Sequence, residues 1–164
     1  DWTDRARSLN FTPRQIVTTA SIIETEAKLA DERPVVASVI YNRLKQNIPL
    51  AVDSAVIYAS KLEGKWRYDG KVYRSDIERR SPYNTRLYPG LPPGPVASPG
   101  ESSLKAALNP ITSDYLYYVR NPDRDDGAHN FYSNGADFEN GVQALRRWER
   151  ERDEEEARRK RESN

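Results

Sequence analysis

Apolar positions recur at helical spacing over much of the first half of the chain and in short β-type runs further on. This pattern predicts a mainly helical protein with small β elements. Ile16, Ala20, Ile23, Ala27 and Ala30 follow at steps of three or four, and Thr12, Pro13 and Gln15 supply an N-cap, a first-turn proline and a capping box, so one helix is predicted from Thr12 to Glu32. Pro34 starts a second helix running to about Lys45, with Val36, Val39, Ile40 and Leu44 on its apolar face. Asp53 stands as N-cap of a third, Ser54 to about Leu62. Asp69-Gly70, at the centre of WRYDGKVY (66–73), predicts a type I′ hairpin serving as scaffold or as a flap over a site. Ser98-Pro99-Gly100-Glu101 forms a second capping box, opening a helix through Leu108. YLYYV (115–119) and HNFYS (129–133) predict an antiparallel hairpin, and a last helix begins near Asp137 with Phe138, Val142, Leu145 and Trp148 on one face. Asp1 to Asn10 is expected to carry little structure of its own. The class is therefore α+β: a mainly helical single domain with small antiparallel β-hairpins, followed by a charged helical extension or tail at 149–164, where acids and bases pair at i,i+4.

Composition removes several function classes. Lys plus Arg is 26 and Asp plus Glu is 25, which gives no general attraction for nucleic acid or anionic lipid. With no Cys and one His, disulfides, thiolate sites and histidine metal clusters are excluded, and no metal or cofactor is expected. No run approaches the ~18 apolar residues of a spanning helix, so the chain is expected to be soluble, and the lack of any Met suggests a fragment of a longer protein.

Candidate chemistry lies on the first helix and in one loop. At about 100° per residue, Glu24 and Glu26 sit on opposite shoulders of the apolar stripe, so at most one points into any given pocket, and periodicity does not choose between them. Glu24 follows Ile22 and Ile23; desolvation there would raise its pKa towards what a general acid needs, while the alternative is a solvated glutamate pairing with Lys28. Arg43 is either a cation favoured by the end of its helix or a holder of an acid. From Pro82 to Pro99 the chain becomes a long Pro/Gly-rich loop in which Tyr83, Asn84 and Tyr88 offer aromatic faces and an amide to a sugar or other polar ligand. On its residues alone, His129 reads as a hydrogen-bonded histidine at a strand end.

Taken together, ASIIETEA (20–27), VASVIYNRL (36–44), PLAVDSAVIYA around Asp53, SPYNTR (81–86), GLPPGPVASPG (90–100), SLKAALNP (103–110), YLYYV and the H-x-F of His129 and Phe131 resemble one family, the MltG (YceG-like) endolytic murein transglycosylases. The resemblance runs from about Phe11 to Leu145. It implies a YceG-like catalytic domain over 1–148, with Glu24 matching the family's catalytic glutamate; Thr25 replaces a frequent Lys and Ala27 a Thr. It also implies substrate-binding roles for Arg43, Asp53, Tyr83, Asn84, Leu91, Pro92 and His129. The implied reaction is lytic cleavage of the MurNAc-GlcNAc β-1,4 bond with formation of a 1,6-anhydro-MurNAc end, terminating nascent strands. The alternatives are a non-catalytic glycan-binding module, and hydrolysis with Asp53 as second carboxylate. Glycan strands and peptidoglycan synthases are the implied partners. The implied location is the outer, periplasmic face of the cytoplasmic membrane, with anchoring by a segment absent here. Glu24 is then expected in a cleft lined by residues 82–95, walled by Ile23, Leu91 and the tyrosines.

Overall fold

The computed structural model describes residues 1–164 and divides into two compact units, 1–114 and 115–164. The first is helical: α1 (Trp2–Ser8), α2 (Pro13–Glu26), a 3-10 turn (Ala30–Glu32), α3 (Arg33–Lys45), α4 (Asp53–Leu62), α5 (Arg74–Ile77) and α6 (Glu101–Leu108). The second holds β1 (Tyr117–Arg120), β2 (His129–Tyr132) and α7 (Gly135–Glu162). The chain is thus mainly helical α+β.

In the first unit α2 is the central element, packed against α3, α4 and α6. Ile16, Ala20, Ile22 and Ile23 are fully buried against Val36, Ala37, Val39 and Ile40 of α3, Val56 of α4 and Ala107 of α6, which is the expected consequence of a helix with apolar residues on most of its circumference. Thr18, Thr19 and Ser21 are buried with them because each hydroxyl bonds back to a carbonyl three or four residues earlier, satisfying a polar group that would otherwise be costly to bury. The capping box at Thr12 forms as predicted, with Gln15 N–H donating to the Thr12 hydroxyl and Thr12 N–H to the Gln15 side chain.

The predicted first helix ends early. Ala27 is extended (φ −114°, ψ 110°) and 1 % exposed, and Arg33 Nε donates to its carbonyl. Ala27 therefore remains a core residue although the helix has stopped, while Ala30 lies exposed in the following turn. Periodicity sees burial, not the change of direction. The N-terminal decapeptide is also ordered: Asp1 caps α1, Ala6 is buried, and Arg5 Nε donates to the Leu108 carbonyl.

No hairpin forms at 66–73. Positive φ occurs at Tyr68 and Gly70 rather than at the adjacent pair Asp69-Gly70 that a type I′ turn requires, and the Asp69 carboxylate folds the loop on itself by accepting from Lys71 N–H and the Tyr73 hydroxyl. The short α5 follows. Its Asp76 is 3 % exposed and accepts from the Ser60 hydroxyl at 2.6 Å and Tyr73 N–H at 2.8 Å, with Arg79 at 3.5 Å. Burial raises the Asp76 carboxyl, but these donors together outweigh it and hold it below the ordinary carboxylate range.

The second unit is the predicted hairpin, with Tyr117 opposite Tyr132 and Arg120 opposite His129, and α7 packed on both strands. Phe138 stacks on Tyr117 at 4.8 Å, and the guanidinium groups of Arg120 and Arg152 lie over the Trp148 ring at 4.8 and 4.6 Å. A Cβ at Gly141 would lie 2.5 Å from the Tyr132 hydroxyl oxygen, so only glycine lets α7 approach this closely. Beyond Trp148 the helix is exposed and carries Glu155–Arg159 and Glu156–Lys160 pairs. No helix is long and apolar enough to cross a membrane.

Candidate active site

Glu24 lies in the last turn of α2, where the N-terminal ends of α3 and α6 converge on it. Its Oε1 accepts from Gly100 N–H at 2.6 Å and from the Ser103 hydroxyl at 3.3 Å; its Oε2 faces Arg33 Nη2 at 3.7 Å. Ser103 is fully buried, and the side chains of Arg33 and Glu24 are 18 % and 30 % exposed, so the acid is braced on its inner side and open on its outer side. Gly100 is the N-cap residue of α6 and brings no side-chain cap; the carboxylate of Glu24 takes that place and meets the positive end of the helix. The predicted Ser98 capping box is thus replaced by a cap from another element.

The Pro-rich loop reaches this point by running alongside α2. Pro93 carbonyl accepts from Arg14 Nε, Val96 N–H donates to the Ser21 hydroxyl, and Gly100 N–H donates to Glu24, so successive loop residues pair with successive turns of the helix. Two glycines line this approach: a Cβ at Gly94 would lie 2.6 Å from Arg14 Nη2, the free end of an exposed side chain that can move aside, and one at Gly100 would lie 3.0 Å from Glu24 Oε1. The polar partners of Glu24 in the loop region are therefore at 100–103, beyond the 82–95 stretch expected to line its cleft, and they are hydrogen-bond donors rather than an apolar wall.

The other expected site residues of the first unit have partners other than Glu24. Asn84 is fully buried, with Nδ2 donating to the carbonyls of Ile77 and Arg79 and Oδ1 accepting from Arg86 N–H, so its amide faces inward and is unavailable to a ligand. It braces the start of the loop instead. Asp53 is the first residue of α4 rather than its cap, Val52 taking that position, and it pairs with Arg86 at 3.0 Å. The half-buried Tyr83 ring packs on Tyr58 at 4.8 Å. Leu91 and Pro92 line a cavity at the opposite end of α2 from Glu24. Arg43 donates to the Pro49 carbonyl, and the cation beside Glu24 is Arg33, about 15 Å earlier along the helix axis of α3. His129 belongs to the second unit, where its ring meets Tyr118 edge-on at 5.2 Å.

Arg33, Gly100 and Ser103 are thus the neighbours of the acid that sequence reading missed. Gly100 and Ser103 stand inside segments read as a helix start and as family motifs, with no site role given to either. Arg33, next to the helix-starting Pro34, gave no signal, because its proximity to Glu24 depends on α2 stopping at Glu26.

Comparison with known proteins agrees with this arrangement of motifs. Residues 1–144 match the profile of the YceG-like family. An endolytic murein transglycosylase of Bacillus subtilis is 47 % identical over 105 residues, covering 64 % of this chain and 28 % of the relative. One from Streptococcus pneumoniae is 33 % identical over 136 residues, covering 83 % of this chain and 24 % of the relative. The chain thus spans about a quarter of the length of these relatives. A crystal structure of a yceG-like protein from Listeria monocytogenes superposes with a TM-score of 0.68 at 37 % identity, covering 80 % of this chain and 40 % of that one.

Proposed function

As this chain belongs to the YceG-like family, we propose that it is the catalytic part of an endolytic peptidoglycan lytic transglycosylase in which Glu24 is the single acid–base group. The observation that carries the reading is the unequal bonding of the two Glu24 oxygens. Oε1 is held by two donors, while Oε2 has only Arg33 at 3.7 Å and the side chain keeps an exposed face. Oε2 is therefore the oxygen left to exchange a proton with a substrate.

The reaction follows from one such group. Oε2 gives its proton to the glycosidic oxygen as the bond to the muramic C1 breaks; the C6 hydroxyl of the same sugar attacks C1, and the carboxylate takes the hydroxyl proton, closing a 1,6-anhydro ring with no water consumed. The attack is intramolecular, so proximity replaces an activated nucleophile, and no second carboxylate across the bond is required. Gly100 N–H, Ser103 and Arg33 stabilise the carboxylate between its two proton transfers. We extend the proposal, on the family resemblance alone, to cleavage at the outer face of the cytoplasmic membrane on strands made by peptidoglycan synthases, with anchoring by a segment outside this chain.

The test is Glu24→Gln. The amide oxygen still accepts from Gly100 and Ser103, so the fold is retained, while release of anhydromuropeptides from purified sacculi falls by about 10² to 10⁴. Undiminished release removes Glu24 from the role. Products heavier by one water per new end identify hydrolysis instead, and intact glycan with measurable binding identifies a binding module.

A further inference from the structure

A cavity of about 960 Å³ opens in the first unit at the N-terminal end of α2. Phe11, Leu91 and Pro92 give it an apolar wall, and Arg5, Arg14 and Lys45 bring cationic side chains to its lining, in which no Asp or Glu takes part. None of the three cations has a carboxylate partner: Arg5 donates to the Leu108 carbonyl and the Ser8 hydroxyl, Arg14 to the Pro93 carbonyl, and Lys45 is exposed. The whole chain carries a net charge of only +1, so this concentration of positive charge is local.

The lining also carries neutral hydroxyl and amide groups, among them Thr12, Gln15, Ser38 and Asn42, that suit a peptide main chain, and only a ligand with free carboxylates engages the cations as well. A short chain with aliphatic side groups and free carboxylates matches both the wall and the cations. The cavity also lies along the same helix as the acid: Arg14 and Glu24 are ten residues apart on α2, about 15 Å of helix, and loop residues 93–100 run between them. We propose that this cavity binds the acidic peptide stem carried by the glycan substrate, Arg14 and Lys45 meeting its carboxylates. The assignment rests on the peptidoglycan reading for the identity of the ligand.

The test is titration of the free stem tetrapeptide into the whole chain, followed by NMR, with the same peptide amidated at its carboxylates as control. The peptide contains no glycosidic bond, so its binding is independent of whether Glu24 cleaves glycan, and the two readings fail separately. The free acid perturbs the Phe11 ring resonances and binds about tenfold more weakly to the Arg14→Gln/Lys45→Gln double variant. Both side chains are exposed, and Arg14→Lys with Lys45→Gln controls for loss of the guanidinium bond to Pro93. Equal affinity for acid and amide, unchanged affinity in the double variant, or occupation of the cavity by anionic lipid vesicles that the peptide does not displace would overturn the proposal.

Discussion

The backbone nitrogen of Gly100 lies 2.6 Å from Oε1 of Glu24, so the proposed acid on α2 also closes the N-terminal end of α6. One contact thereby serves a helix start and a reactive carboxyl. Gly100 has ordinary dihedrals (φ −82°, ψ 174°) that alanine also adopts, so the cost of a side chain there falls on the carboxyl and not on the backbone. A Cβ would stand 3.0 Å from Oε1 and displace it by a few tenths of an ångström. Gly100→Ala is expected to lower glycan cleavage by about tenfold or more while leaving unfolding free energy within about 1 kcal/mol. Parallel rate and urea-denaturation measurements check this; equal loss in both would make the contact purely structural.

Asn84 separates a binding role from a bracing one. Its substitution by Ala leaves the Ile77 carbonyl and the Arg86 N–H without their partner inside the protein and removes one of the two donors to the Arg79 carbonyl, which keeps Ser81 N–H at 3.0 Å. Asn84→Ala is expected to cost about 2 to 4 kcal/mol of stability. A stable variant with weakened glycan binding would instead return the amide to the ligand.

The Asp76 carboxyl has its folded-state pKa held below the ordinary value. A depressed carboxylate contributes stability above its unfolded pKa of about 3.9 and loses it as pH falls through the folded value. Asp76→Asn is therefore expected to be less stable than the parent at pH 7, by about 1 to 3 kcal/mol, with the gap narrowing below about pH 4. Denaturation curves at several pH values test the sign; a gap that widens in acid contradicts it.

The reciprocal bonds between Thr12 and Gln15 start the helix that carries the acid. Thr12→Ala is expected to destabilise the chain by about 1 kcal/mol, read as a lower urea midpoint with an unchanged slope.

The sequence by itself determined most of the helical segments, because amphipathic periodicity and caps act within a few residues: the start of α2, the span of α3, the β1–β2 hairpin and the solvated end of α7 were all legible, whereas the short α1 and α5, with too few turns to show a period, were not. The family was legible too, since its motifs are contiguous. Contacts between distant segments were decided only by the tertiary structure. Ala27 is buried whether or not the helix continues through it, so periodicity did not reveal that the chain turns there and brings Arg33 to Glu24. Asn84 looks like a ligand amide in a polar loop, yet carbonyls from 77 and 79 enclose it once the loop closes. Gly100 and Ser103 precede or begin a helix in any reading; that they meet an acid 76 and 79 residues earlier follows from α6 packing on α2. Local signals fix the elements because they depend on neighbours in the chain, and the site depends on neighbours in space.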